Sequence, residues 1–294
     1  MTSAVVRQAF VQLADVRLNV ATAGPDDGPP VVLLHGFPDS HTLWSAQLPP
    51  LAEAGHRVIA PDLRGFGESD RPAEVEAYRM PALVSDVLGL ADHFGLDRFA
   101  LAGHDWGAGL AWQTAFAAPQ RVERLAVFSV GHGGASIAAG ITQKQWSWYM
   151  LWFLFPGVAE RMLPAEDWAF FRRWAWAGHP DGHPYADEQI ALLSRPGALT
   201  AALNWYRANI SPARFVATAP IAGPRVGCPT LGVWSSEDVF LTEEQMTGSA
   251  AFVDGDWRYE RVAGAHWIPV LQPERTAELL LDFLAPTLAA HPLA

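Results

Sequence analysis

Four short stretches carry residue types that together could do covalent chemistry. Gly103-His104-Asp105-Trp106-Gly107 joins an apolar run ending at Ala102 to a stretch of helical spacing that begins near Gly107. Glycine on both sides lets the chain turn where a Cβ would clash, so the central side chain projects from the tip of the bend. This is the strand–turn–helix setting of a nucleophile elbow, with aspartate where an esterase has serine. Serine attacks a carbonyl; a carboxylate attacking saturated carbon makes an alkyl ester of the enzyme itself. Water must then open that ester at the aspartate's own carbonyl carbon. Suitable substrates carry an electrophilic sp³ carbon with a leaving group, either an epoxide or a carbon–halogen bond. A helix dipole alone also favours an aspartate at a helix start, so the pentapeptide needs partners.

The partners occur in the chain order nucleophile, acid, histidine that such an elbow requires. After the last predicted strand comes Gly264-Ala265-His266-Trp267, and His266 is the only one of ten histidines in that position. His179, His183 and His291 fall in loop or tail contexts and read as solvated. After the preceding strand comes Ser235-Ser236-Glu237-Asp238-Val239-Phe240. Asp238 is preferred to Glu237 because the shorter carboxylate is usual there, and its role is to fix the imidazole tautomer and stabilise the imidazolium. His35-Gly36-Phe37-Pro38 follows the strand Val31 to Leu34, which places the backbone N–H of Phe37 to join that of Trp106 as an oxyanion hole.

Those residues need a sheet whose strand ends converge. Phe10 to Val20 alternates apolar with polar residues and predicts an antiparallel hairpin at a sheet edge. Val31–Leu34, Arg57–Ala60, Arg98–Ala102 and Leu125–Val130 read as strands, with helices predicted over Thr42–Ala54, Met80–Phe94 and Gly107–Ala118. Strand and helix in alternation mean a parallel sheet with right-handed crossovers. From 131 to 223 the patterning becomes helical, and seven of the thirteen tryptophans fall there. Most of those indoles are expected to serve packing. Alternation resumes with strands at Thr230–Trp234 and Trp257–Val262 and helices at Glu243–Phe252 and Arg275–Leu288. The expected division is a core of residues 1–130 and 224–294 with a helical insertion at 131–223.

These motifs resemble the α/β-hydrolase-fold epoxide hydrolases over nearly the whole chain. The likeness runs through His-Gly-Phe-Pro at 35–38, Asp-Leu-Arg-Gly-Phe-Gly-Glu-Ser-Asp at 62–70, Gly-His-Asp-Trp-Gly-Ala at 103–108 and Gly-Ala-His-Trp at 264–267. Haloalkane and haloacetate dehalogenases share much of this pattern. The resemblance implies a mostly parallel, eight-stranded sheet flanked by helices, with a helical cap inserted at 131–223. Some relatives place the acid one strand earlier, but Phe128-Ser129-Val130-Gly131-His132 offers no carboxylate. In the epoxide hydrolases two cap tyrosines donate hydrogen bonds to the epoxide oxygen, and the resemblance carries that role to Tyr149 and Tyr206. Tyr206 lies in Asn204-Trp205-Tyr206-Arg207, and Tyr149 lies in Trp148-Tyr149-Met150 shortly before Pro156-Gly157. The competing reading makes both tyrosines core residues whose hydroxyls are satisfied by backbone.

An oxirane oxygen leaves as an alkoxide and needs a proton, which a neutral phenol can supply. Halide leaves without one. Phe37 stands where many haloalkane dehalogenases have Asn, and Trp106 where haloacetate enzymes have Arg. Both departures favour epoxide hydrolysis to a vicinal diol over dehalogenation, with Phe37, Trp106, Tyr149 and Tyr206 around the substrate. A non-catalytic small-molecule receptor is a further alternative, because the fold also serves perception.

Bulk composition is consistent with such an enzyme. Half the residues are apolar and 17% charged, enough to bury a core. A net charge of −11 disfavours nucleic acid. The single cysteine, Cys228, excludes an intrachain disulfide and reads as a buried structural thiol. Trp146 to Val158 is interrupted by Pro156-Gly157 and falls short of the roughly 20 residues of a membrane span. No secretion signal is evident, so a cytoplasmic protein without cofactor or metal is expected. Its partners are a small-molecule epoxide and water, with a homodimer left open.

Overall fold

A computed structural model describes residues 5–177, 183–217 and 223–285. Strands β1 (Arg7–Gln12) and β2 (Arg17–Ala23) form the expected edge hairpin. Then follow β3 (Pro30–Leu34), β4 (Arg57–Pro61), β5 (Phe99–His104), β6 (Val122–Phe128), β7 (Thr230–Ser235) and β8 (Trp257–Val262). The sheet order is β1-β2-β4-β3-β5-β6-β7-β8, with β1 and β2 antiparallel to their neighbours and the rest parallel. β5 is buried along its whole length and β3 from Val31 onward, as short apolar runs covered on both faces must be. On β1 only Val11 is buried, and the Arg17 guanidinium covers the exposed Phe10 ring.

The helices that flank the sheet are α1 (Leu48–Glu53), α2 (Met80–His93) and α3 (Trp106–Ala117) early in the chain. Between β6 and β7 come α4 (Gly133–Ala138), α5 (Gly140–Trp146), α6 (Trp148–Phe153), α7 (Val158–Met162), α8 (Ala165–Ala175), α9 (Ala186–Leu193), α10 (Ala198–Asn209) and α11 (Pro212–Phe215). The chain closes with α12 (Glu243–Thr247), α13 (Ile268–Leu271) and α14 (Pro273–Leu284). Two expected helices are each divided. Residues 42–54 form a 3₁₀ turn, His41–Trp44, and then α1, because Pro49 and Pro50 lack the N–H groups that would continue a helix and suit only its first turn. Residues 243–252 divide at Gly248, where a 3₁₀ turn replaces the α-helix. The closing helix starts two residues early, and its expected last residues, 286–288, lie outside the described residues. Among the described residues no helix is long and apolar enough to cross a membrane.

β3 pairs with β4 on one side and β5 on the other. The loops after β3 and β5 therefore diverge at a crevice, which is where open α/β sheets bind ligands. Gly103 and Gly107 make the bend between β5 and α3 fit: a Cβ on Gly103 would lie 2.2 Å from the Gly107 carbonyl oxygen, and one on Gly107 would lie 2.2 Å from the Leu34 carbonyl oxygen.

A buried polar hub ties the crevice to the helices above it. Asp62, just past β4, accepts from Asn19 Nδ2, the His41 backbone and imidazole, and Glu68 N. Burial opposes its ionisation, but His41, His35 and Asn19 outweigh that and hold its carboxyl down at about 2. Nearby, Arg64 grips Asp86 with two hydrogen bonds while its carbonyl accepts from Trp205 Nε1 of α10. Asp62→Ala should cost about 3–5 kcal/mol in a urea titration, the scale for removing one partner of a buried pair. Because its folded pKa is lowered, the Asp62 contribution should be full near neutrality and fade as pH falls toward about 2. Thermal melts of wild type and Asp62→Asn along a pH series should therefore converge in acid.

Candidate active site

Asp105 occupies the tip of the bend with φ 52 and ψ −123, a backbone conformation a non-glycine residue adopts only under constraint. Strain of this kind costs on the order of 1–3 kcal/mol and is tolerated where the surroundings impose it. Its Oδ1 accepts from the Phe37 backbone N–H at 2.8 Å. The Trp106 backbone N–H also favours the charged carboxylate. Burial disfavours the charge, yet His266, His104 and that N–H together outweigh it and keep the Asp105 carboxyl below its ordinary range.

His266 Nδ1 meets Asp238 Oδ2 at 2.8 Å, and Nε2 lies 3.6 Å from Asp105 Oδ2. The second distance exceeds a hydrogen bond, so this contact is electrostatic. Asp238 is buried and its other oxygen accepts from the Phe240 and Leu241 backbone N–H groups, whereas Glu237 is exposed. Burial lowers the His266 pKa, but the two carboxylates outweigh it and push it up to about 10.

His266 follows β8, with β6 and β7 lying between that strand and β5. Its loop is drawn back over the sheet by its carbonyl, which accepts from Ser129 Oγ and His104 Nε2, each at 2.9 Å. Burial lowers the His104 pKa to about 4 and leaves it neutral, and with a carbonyl as partner its one ring proton sits on Nε2. The next residue donates from Trp267 Nε1 to Asp39 Oδ2 at 3.0 Å, and Asp39 Oδ1 accepts from Gln189 of α9. Asp39 therefore joins the histidine loop to the helices inserted between β6 and β7. Its carboxyl is raised to about 7 by burial, against the pull of those two donors.

Tyr149 on α6 and Tyr206 on α10 approach from the opposite side, with ring centroids 6.3 Å apart. Tyr206 packs edge-on against both Phe37 and Trp106. Arg207, beside it, binds Glu160 of α7 and the Phe153 carbonyl at the end of α6, which ties the two tyrosine helices together. Among the described residues no backbone carbonyl takes either phenol. Burial raises both pKa values well above the ordinary range, helped at Tyr149 by Asp105 and Asp238 and at Tyr206 by the Tyr149 phenol and Asp105, so both hydroxyls keep their protons.

Two cavities meet at Asp105 and Tyr206. One, of 20 Å³, is bounded by Phe37, Tyr149, Trp174, Phe240 and His266. The other, of 330 Å³, runs along Trp106, Ile137, Met150, Ile210 and Phe215. Among the described residues no group of three or more His, Cys, Asp or Glu is arranged to hold a metal ion.

The family described as alpha/beta hydrolase fold matches residues 29–269. The chain belongs to that family. This α/β hydrolase is 32% identical to the AB hydrolase superfamily protein YfhM of Bacillus subtilis, over 95% of this chain and 98% of that one. It is also 32% identical to Epoxide hydrolase A of Mycobacterium tuberculosis, over 94% and 97% of the two chains. The crystal structure of Epoxide Hydrolase A from Mycobacterium thermoresistibile superposes with a TM-score of 0.81 at 30% identity, covering 95% of this chain and 98% of that one. The likeness to epoxide hydrolases seen in the motifs is thus borne out.

All seven expected site residues of this α/β hydrolase converge: Asp105, Asp238, His266, Tyr149, Tyr206, Phe37 and Trp106. His183 departs from expectation. It is buried, its ring packs against Trp176 and Trp267, and its Nδ1 accepts from Tyr185 N. Long-range packing places it there, and its loop context hid that; His179 and His291 lie outside the described residues. Cys228 is only partly buried, with burial raising its thiol to about 11. Sequence reading missed Asp39, Ser129 and His104 as supports of the histidine loop. The one available signal was that all three stand at carboxyl ends of strands or in the loops after them. Gly36→Ala should cost at least about 1–3 kcal/mol by chemical denaturation, because a Cβ there would lie 2.4 Å from Asp105 Oδ1.

Proposed function

We infer that this α/β hydrolase opens epoxides to vicinal diols through an ester of Asp105, with residues 131–223 acting as a cap over the site. The observation that carries this reading is the pair of buried, protonated phenols facing a buried carboxylate across a narrow gap. Relatives named as epoxide hydrolases, matching along nearly the full chain, support the reaction class.

The oxirane oxygen would rest on Tyr149 and Tyr206 while Asp105 attacks one ring carbon. One phenol gives its proton to the developing alkoxide. The free Oδ2 of Asp105 is the natural attacking atom, because Oδ1 is already held by Phe37 N–H. That hydrogen bond then strengthens in the second step. Once water adds to the ester carbon, Oδ1 takes up negative charge between the Phe37 and Trp106 amides. The 20 Å³ chamber beside His266 suits a single water, for which about 10–15 Å³ suffices.

Charge bookkeeping gives His266 its timing. In the free enzyme two carboxylates favour the imidazolium. Esterification neutralises Asp105 and removes one of them, so the His266 pKa falls and the imidazole becomes available as base, steadied by Asp238.

Four outcomes test the scheme. Asp105→Asn should lower the first turnover on styrene oxide by about 10,000-fold or more. In ¹⁸O water the first diol from wild type should carry unlabelled protein oxygen, and immediate labelled diol would refute the ester. Replacing both tyrosines by phenylalanine should slow alkylation by about 10²- to 10⁴-fold, while release of halide from a matched haloalkane without diol formation from the epoxide would point to dehalogenation. Stopped-flow tryptophan fluorescence should show ester hydrolysis rising with pH, with an apparent pKa below the value of about 10 in the free enzyme. A hydrolysis rate with no such rise anywhere from acid to alkaline pH would remove His266 as the base.

A further inference from the structure

Lys144 is the only lysine in the sequence. It lies on α5 and lines the 330 Å³ cavity that opens onto Asp105. Among the described residues, Lys144 and Asp105 are the only charged side chains on that cavity's wall. No aspartate or glutamate among the described residues pairs with the Lys144 ammonium, whose one hydrogen bond goes to the Ala217 carbonyl just after α11. An ammonium has three donors, so two remain.

Two neighbouring amides are already committed. Gln143 donates to Ser147 Oγ and the Phe240 carbonyl and accepts from Thr242 N. Asn209 donates to Tyr78 and Trp205 carbonyls and accepts from Met80 N. Most of the remaining wall is apolar, so an anion entering this cavity finds one cation with free donors.

We propose that Lys144 receives the carboxylate of an amphipathic substrate whose apolar chain lies along the cavity and whose oxirane reaches Asp105. The identity of the reacting group rests on the epoxide reading; the anion site does not. Tyr149 stands five positions beyond Lys144 along nearly continuous helix, about 8 Å at the helical rise. A carboxylate on Lys144 therefore leaves an unbranched chain to span the distance to the phenols. The two charges also orient the substrate. Asp105 repels the carboxylate and Lys144 attracts it, so the neutral oxirane end is the one presented to the nucleophile. A lysine suits this task as a single flexible point charge, without the planar fork of arginine.

The test compares a terminal epoxide of an unbranched medium-chain fatty acid with its methyl ester. Wild type should favour the acid, and Lys144→Met should lower the acid-to-ester ratio of kcat/KM by about tenfold, mostly through KM. Lys144→Arg should restore most of the preference, which a merely structural role for the side chain would not predict. In parallel, decanoate and decanol are titrated against tryptophan fluorescence without any epoxide. Decanoate should bind wild type about tenfold tighter than Lys144→Met, with the difference shrinking in high salt. If Lys144→Met does not fold, wild type alone suffices: decanoate binding should weaken in salt while decanol binding does not, and equal salt responses would overturn the anion site. Turnover of both epoxides with a ratio indifferent to Lys144 and to salt would also overturn it and leave the hydrolase reading standing. Lys144-dependent decanoate binding with neither epoxide hydrolysed would do the reverse.

Discussion

A carboxylate kept ionised away from water is the constraint from which the rest of the site follows. Removing a charge from solvent costs several kcal/mol unless partners replace the lost hydration. Around Asp105 those partners are two backbone N–H groups and an imidazole, itself balanced by Asp238. None of them is adjacent to Asp105 in sequence except Trp106. The order of β3 beside β5 delivers Phe37, and the return of the β8 loop across the sheet delivers His266. Loss of any one of these would leave a buried charge uncompensated, which couples the integrity of the fold to the integrity of the site.

The histidine loop illustrates how much structure one side chain demands. β8 is the sheet edge, yet the imidazole must stand over the centre. The His266 carbonyl, fixed by Ser129 and His104, resolves that conflict on the core side. Trp267, Asp39 and Gln189 continue the connection into the helices above. The same helices bring the phenols, and Arg207 with Glu160 holds the two tyrosine-bearing helices in relation to each other. Asp105, His266 and the two phenols are thus positioned by polar contacts that cross from sheet to helices, with aromatic packing filling the space between.

Two cavities of unequal size meet at one carboxylate. The larger has room for an organic chain, and the smaller, beside His266, for a single water. Aromatic rings line most of the narrow side, which excludes bulk solvent and strengthens every electrostatic contact there. The phenols stay protonated for the same reason Asp105 needs so many donors: burial penalises charge, and only groups with sufficient partners remain ionised.

Local signals were enough for much of this protein. Apolar runs ending in glycine-rich bends marked the strands, and Gly103 and Gly107 around Asp105 marked the elbow, because a sharp turn leaves its requirement in the residues that make it. The order Asp105, Asp238, His266 followed from the strands these residues terminate, with the shorter carboxylate preferred over Glu237. Locally readable effects also explain the divided helices at Pro49-Pro50 and Gly248. Tertiary structure decided what depends on distant partners: that β3 lies beside β5, that His183 is buried against Trp176 and Trp267, and that Ser129, His104 and Asp39 serve the histidine loop. Turns and periodicities are properties of neighbouring residues, whereas burial, pKa and hydrogen-bond partners belong to the folded chain, which is why only the fold could supply them.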